Sequence, residues 1–307
     1  MTQPILIAGP TASGKSSLAL ELAEQLGHCV IVNADSMQVY DGWSLLTARP
    51  STYEEEQVPH RLYGHIDPAD SYSVGAWLRE IYGVLKEARE AEIRPIIVGG
   101  TGLYFTSLIR GLSMVPEIPE EVRARAEEKL SQLGRAAFHA ELLRRDPKAE
   151  GVDPMNPRRL IRAWEVHAHT GKSLTEWAAQ TPPPLLPLGQ TKASIVLEAD
   201  PDWLRDRIEQ RFDEMIEYGA LDEATAMVER DIAEGTPSLK ALGGPALMAH
   251  IRGLVPLEEA VEAGKADTRR YAKRQRTWFR NQMADWSRIP AGPDAFQELT
   301  KLLDKLP

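Results

Sequence analysis

Four short apolar runs mark this chain, and each stops at a polar or glycine-rich turn. They are Ile5 to Ala8, Cys29 to Val32, Pro95 to Val98 and Ser194 to Leu197. None alternates with polar residues, which is the pattern of strands buried on both faces. Between them the period lengthens to that of helices. A helical pattern beginning at Ser16 carries Leu18, Leu22 and Leu26 inward, and a second spans Val74 to Arg89 with Ser73 as its N-cap. Strands alternating with helices predict a parallel sheet whose ligand site lies at the carboxyl ends of the strands. The turns after the first, second and third runs should therefore converge.

From about Pro116 to Pro187 the strand signal vanishes, and the segment reads as helices rich in Glu and Arg that end in TPPPLLPLG. Within it, Asn156 and Pro157 start a helix that Gly171 stops. Leu160, Ile161 and Trp164 share one face, and Arg158, Arg159 and Arg162 the other. After Leu197 the chain is expected to be all helix. The fold expected is α/β: a P-loop parallel sheet flanked by helices, built from residues 1–115 and 190–307, with an all-helical insertion at 116–189.

The 307 residues are 43% hydrophobic and 26% charged, and no apolar run is long enough to cross a bilayer. The start MTQPILIAG lacks the basic segment of a signal peptide, so a cytoplasmic location is expected, with no membrane partner. The single cysteine, Cys29, excludes an internal disulfide and reads as a core residue. Seven histidines make no ligand set, since His167 and His169 are two apart and point apart on a helix. The net charge of −9 confines any nucleic-acid site to a local basic patch.

GPTASGKS, Gly9 to Ser16, fits the Walker A pattern. Its main-chain N–H groups would cradle a diphosphate, with Lys15 adding charge and the Ser16 hydroxyl reaching a magnesium ion. No apolar strand ends in a Walker B aspartate. The third run ends in GGTGLY, and the one well-placed acid, Asp35, follows the second. Such an acid can cap a turn, support a magnesium ion or do chemistry, and its place at the top of the sheet favours chemistry. Near the C-terminus, TRRYAKRQRTWFR lines up Arg269, Lys273, Arg276 and Arg280 on one helical face, either as a solvated surface or as a phosphate contact; the absence of acids among them favours phosphate. Tyr271, Trp278 and Phe279 lie elsewhere on that helix and are expected to pack onto the body.

GPTASGKS, DSMQVY with TARP nearby, PHRLYGHIDP, VGGTGLYF, RLIRA and TRRYAKRQRTWFR occur in the order and spacing of tRNA dimethylallyltransferases, which the chain resembles over nearly its whole length. The resemblance implies a P-loop core that takes dimethylallyl diphosphate, with the insertion and C-terminal helices clasping a tRNA anticodon stem-loop, and a monomer. By analogy Asp35 is the general base at the exocyclic amine of the adenosine 3′ of the anticodon. Lys15 and the loop Gly9, Pro10, Thr11, Ala12, Ser13, Gly14, Ser16 and Ser17 bind the diphosphate with magnesium on Ser16. Thr101 hydrogen-bonds near the bridging oxygen or the amine.

Arg207 and Arg211 lie one helical turn apart, either as a diphosphate clamp or as surface partners of Glu209 and Asp213. The expected tRNA contacts are Asp35, Ser36, Met37, Gln38, Thr101, Arg123, Arg158, Arg159, Leu160, Ile161, Arg162 and the four-residue basic stripe. Gln38 is the natural reader of an adenine edge. Three positions depart from the family pattern. Gly244 replaces a tyrosine, Arg158 a glutamine, and Arg49 the lysine of TARP. The zinc-finger extension of eukaryotic relatives is also expected to be missing. The rival readings are a small-molecule P-loop kinase, prenyl transfer to free adenine nucleotides, and an RNA-binding protein without chemistry.

Overall fold

The protein is described from a computed structural model that covers residues 2–306. Its first half runs β1 (Ile5–Ala8), α1 (Lys15–Leu26), β2 (Cys29–Asn33), α2 (Thr52–Gln57), β3 (His60–Arg61), α3 (Val74–Glu90), β4 (Arg94–Gly99) and α4 (Gly102–Arg110). Three helices follow: α5 (Glu120–Arg145), α6 (Pro157–Thr170) and α7 (Leu174–Ala179). The chain then returns through β5 (Ala193–Glu198), α8 (Pro201–Glu217), α9 (Ala220–Glu229), α10 (Gly244–Ile251), α11 (Leu257–Gln282), β6 (Ser287–Pro290) and α12 (Ala295–Asp304).

All six strands are parallel, in the order β3-β2-β4-β1-β5-β6. The four apolar runs of the sequence are β1, β2, β4 and β5. They lack alternation because helices cover both faces: Leu6, Val32 and Ile97 pack with Trp77, Ile81 and Phe105 on one side, and Ile5, Ile7, Ile31 and Val98 with Leu18 and Leu22 on the other. Two strands went unread. β3 is only the pair His60–Arg61, and β6, reading Ser-Arg-Ile-Pro, breaks the expectation that everything beyond Leu197 is helical. Each is an edge strand with at most one fully buried apolar side chain, so neither leaves a periodic trace.

The chain divides into two compact units, one running to Ile109 and resuming at Leu185, the other Arg110–Pro184. The second unit is helical, and its bounds fall at 110 and 184 rather than 116 and 189. The reason is local: the Ser113 and Thr181 hydroxyls lie 2.9 Å apart and tie the unit's two ends together. Its core joins Phe138 and Leu142 of α5 to Leu160, Ala163 and Trp164 of α6. Asn156 caps α6 through the N–H of Arg159, and Gly171 ends it at φ 69, as the sequence signals require.

Candidate active site

The loop after β1 has the backbone shape of a phosphate-binding loop. Ala12 (φ 63) and Gly14 (φ 87) turn it with left-handed backbone, and Gly9 N–H is held by the Gly99 carbonyl at 3.3 Å. Gly14 caps α1 without a side chain, so the first-turn N–H groups of α1 are left without a capping side chain at the positive end of the helix. Ser16 and Ser17 are exposed there, while the Ser13 hydroxyl is buried and has no hydrogen-bond partner among the described residues. Lys15 Nζ reaches back to the Pro10 carbonyl at 3.3 Å. Desolvation of the ammonium lowers its pKa to about 8, against the pull of Asp35 and with some help from Arg211.

β2 delivers Asp35 through a locked turn. Asn33 Oδ1 accepts the Asp35 N–H at 2.7 Å, and its Nδ2 donates to the carbonyls of Asp35 and Leu62, each at 2.9 Å. Asp35 Oδ1 accepts the Met37 N–H at 3.0 Å. The carboxylate therefore does cap its own turn, but with one oxygen. The other, Oδ2, lies beside Gly100, where an added methyl would come within 3.1 Å of it. Thr101 closes the group: its hydroxyl accepts the Ser36 N–H at 2.9 Å and donates to Ser36 Oγ at 3.2 Å. The turns after β1, β2 and β4 converge as expected. Gly99 is what lets them, because a Cβ there would sit 2.1 Å from the Ala34 carbonyl oxygen.

Two arginines of α8, Arg207 and Arg211, reach the loop, while Arg205 stays on the surface with Asp202. Arg207 Nε donates to the Ala12 carbonyl at 3.1 Å, and Arg211 lines a cavity with Thr11, Ala12 and the apolar Leu46, Ile208, Phe212, Met215 and Leu242. Burial first, then Arg207, lowers the Arg211 pKa, and Asp35 opposes both. The surface-pair alternative fails because its acids are taken: Glu209 binds Arg269 at 2.9 Å and Asp213 binds Lys265 at 2.7 Å. Lys15 and Arg211 thus lie within electrostatic reach of Asp35, and Arg207 joins them on the loop, an arrangement of cations that attracts an anion.

Sequence reading missed two site residues on α11. Tyr271 was expected to pack on the body, yet its phenol lies close enough to the site to be kept protonated by burial first and then by the Asp35 charge. Gln275 is buried, and its amide spans two turns. Its signal was a lone uncharged residue amid three basic ones, KRQR. Trp278 and Phe279 do pack inward, Trp278 against Gly102, where a Cβ would meet the indole at 2.2 Å. On the outer side Lys273, Arg276 and Arg280 have no ion-pair partner among the described residues, whereas Arg269 is spent on Glu209.

Other expected contacts are placed differently. Gln38 is buried with both amide hydrogens on the carbonyls of Thr47 (3.0 Å) and Ala48 (2.7 Å), so it holds the TARP loop instead of presenting a donor. Arg49 of that loop donates to the Tyr40 carbonyl at 3.1 Å. Met37 is half-buried beside the Trp43 cluster. In the helical unit Leu160 is fully buried core and cannot touch RNA, because it lies on the apolar face of α6. Ile161 is half-buried. Arg158 and Arg159 are exposed, while Arg123 and Arg162 hold the buried Glu165 at 3.3 and 2.7 Å. Gly244 is buried at the start of α10, where a Cβ would lie 3.2 Å from Trp43.

Among the described residues no three acidic, histidine or cysteine side chains cluster to hold a metal. A magnesium ion carried on a diphosphate fits this better than a resident one, since Ser16 is exposed at the cradle and magnesium commonly completes its shell with phosphate oxygens and water.

A Walker A loop faced by a carboxylate and a threonine, at the carboxyl ends of a parallel sheet, marks a transferase of the P-loop fold. The chain belongs to the IPP transferase family, whose model matches residues 38–282, and an isopentenyl transferase model matches residues 3–67. A tRNA dimethylallyltransferase of Cereibacter sphaeroides is 53% identical over 288 residues, covering 94% of this chain and 88% of its own. One from Dinoroseobacter shibae is 53% identical over 291 residues, covering 94% and 95%. Two solved structures share the fold: the full-length tRNA isopentenylpyrophosphate transferase of Bacillus halodurans (34% identity, TM-score 0.70, covering 99% of this chain and 95% of that one) and a eukaryotic dimethylallyltransferase acting on tRNA (25%, TM-score 0.81, covering 98% and 78%).

Proposed function

We propose that the chain transfers the dimethylallyl group of dimethylallyl diphosphate to the exocyclic N6 amine of the adenosine 3′ of the anticodon in tRNA, releasing diphosphate. The observation that carries this reading is the free oxygen of Asp35, set beside Thr101 and facing a loop with three cations. The N6 lone pair forms the bond to C1 of the allyl group as the C1–O bond breaks, and the electron pair of that bond leaves on the diphosphate. Asp35 Oδ2 takes the N6 proton. Lys15, Arg207, Arg211 and the first-turn N–H groups of α1 stabilise the charge that grows on the departing oxygens. Magnesium bound with the diphosphate at Ser16 would supply further charge neutralisation.

Lys273, Arg276 and Arg280 of α11 meet phosphates of the tRNA, and the exposed Arg158 and Arg159 give the helical unit phosphate contacts of its own. Since the loop and Asp35 come from one chain, a monomer suffices, and a tRNA substrate supports a cytoplasmic location. The test is to pair labelled dimethylallyl diphosphate, and separately labelled ATP, with bulk tRNA and with free AMP. Prenyl label should enter tRNA alone. Label in AMP, or phosphoryl transfer from ATP, would overturn the reading.

A further inference from the structure

We propose that Gln275 is a positioning residue for prenyl transfer, a strut that sets the distance between the diphosphate loop and the Asp35–Thr101 pair. Its side-chain Oε1 accepts the Thr11 N–H at 2.8 Å, and its Nε2 donates to the Gly100 carbonyl at 2.9 Å. Thr11 belongs to the loop that holds the leaving group. Gly100 directly precedes Thr101 and lies against Asp35 Oδ2. One amide therefore joins the two halves of the reaction, and it does so in the interior, since Gln275 is 5% exposed.

The sequence is built around this contact. A Cβ on Gly100 would come within 2.3 Å of Gln275 Nε2, so that turn is shaped to admit the amide. No charged residue does the same work. A lysine lacks an acceptor for the Thr11 N–H, and a glutamate lacks a donor for the Gly100 carbonyl and would set a second negative charge where diphosphate binds. Among the described residues neither main-chain group has another hydrogen-bond partner, and leaving the buried Gly100 carbonyl unpaired is costly.

The inference rests on the prenyl-transfer reading, but one arm of its test does not. Gln275→Met keeps the length of the side chain and removes both hydrogen bonds. We expect inorganic pyrophosphate, titrated calorimetrically without tRNA, to bind the variant on the order of 10-fold more weakly. Single-turnover transfer at saturating donor should slow by about 100-fold, the scale of a 1 Å misplacement of reacting groups. Extra donor should not restore that rate, and tRNA affinity should be unchanged. A simply destabilised protein would instead keep its rate per folded molecule. If the Met variant does not fold, Gln275→Asn serves the same measurements, because the shorter amide cannot reach both turns. Wild-type pyrophosphate affinity and rate in a folded variant would overturn the proposal. If wild-type protein transfers no prenyl group, the functional reading fails, and the pyrophosphate arm alone then decides the role of Gln275.

Discussion

Arg207 donates its Nε hydrogen to the carbonyl of Ala12, the one non-glycine residue of the phosphate loop held in left-handed backbone. An arginine that could have paired with Glu209 on the surface of its own helix is turned onto the loop, and Arg269 of α11 takes Glu209 instead. The same hydrogen bond fixes the loop and keeps the guanidinium beside the cradle. Replacing Arg207 with Ala should weaken pyrophosphate binding by about 1.5–3 kcal/mol, the value of a hydrogen bond to a charged group. Arg207→Lys should recover only part of this, for want of the planar fork. Unchanged calorimetric affinity in Arg207→Ala would return the residue to a structural role.

Lys15 makes diphosphate binding sensitive to pH. Desolvation lowers its pKa to about 8, and diphosphate needs the protonated form. The bound anion raises the pKa again, so binding takes up a proton above pH 8 and none well below it. Affinity should be flat below about 8 and fall as pH rises through it. Lys15→Arg should flatten the profile, since arginine stays charged throughout. A profile with no break near pH 8 in the wild-type protein would contradict the buried-ammonium account.

The basic stripe should act unevenly along α11. Changing Lys273, Arg276 or Arg280 to Ala should each lower the slope of log tRNA affinity against log salt by about one charge. Arg269→Ala should lower it by clearly less, since Glu209 already neutralises that side chain. Equal slopes for all four variants would mean that the ion pair opens when tRNA binds.

Gly99→Ala should destabilise the protein without touching any charge. Its Cβ would fall 2.1 Å from the Ala34 oxygen, and neither strand end can move without shifting Asp35 or Thr101. Overpacking of this kind costs about 1–3 kcal/mol, readable as a lower urea midpoint with an unchanged slope.

The sheet was legible because its inner strands are buried on both faces. The runs at Ile5, Cys29, Pro95 and Ser194 announce themselves without alternation. His60–Arg61 and Ser287–Pro290 were not legible, since edge strands this short leave no apolar pattern. The ends of α6 were readable to the residue because caps are local chemistry, and Asn156 and Gly171 act on atoms a few positions away. At the site, the loop, Asp35 and Thr101 could be read from strand ends and glycine turns. Gln38 could not. An adenine-reading amide and a loop-holding amide look alike in sequence, and only the carbonyls of Thr47 and Ala48 tell them apart. Gln275 hides for another reason: its partners Thr11 and Gly100 lie 264 and 175 positions away, and the basic residues around it draw attention to the opposite face of the helix.

The account turns on Asp35 as the base, and Asp35→Asn tests it most directly. The amide preserves the acceptor for the Met37 N–H, so the turn, the fold and the binding of tRNA and pyrophosphate should survive. It cannot take the N6 proton. Single-turnover prenyl transfer at saturating dimethylallyl diphosphate and tRNA should therefore fall by about 10²–10⁴-fold, with no rescue by added magnesium. A wild-type rate in the folded Asn variant, or a defect that added magnesium repairs, would contradict it.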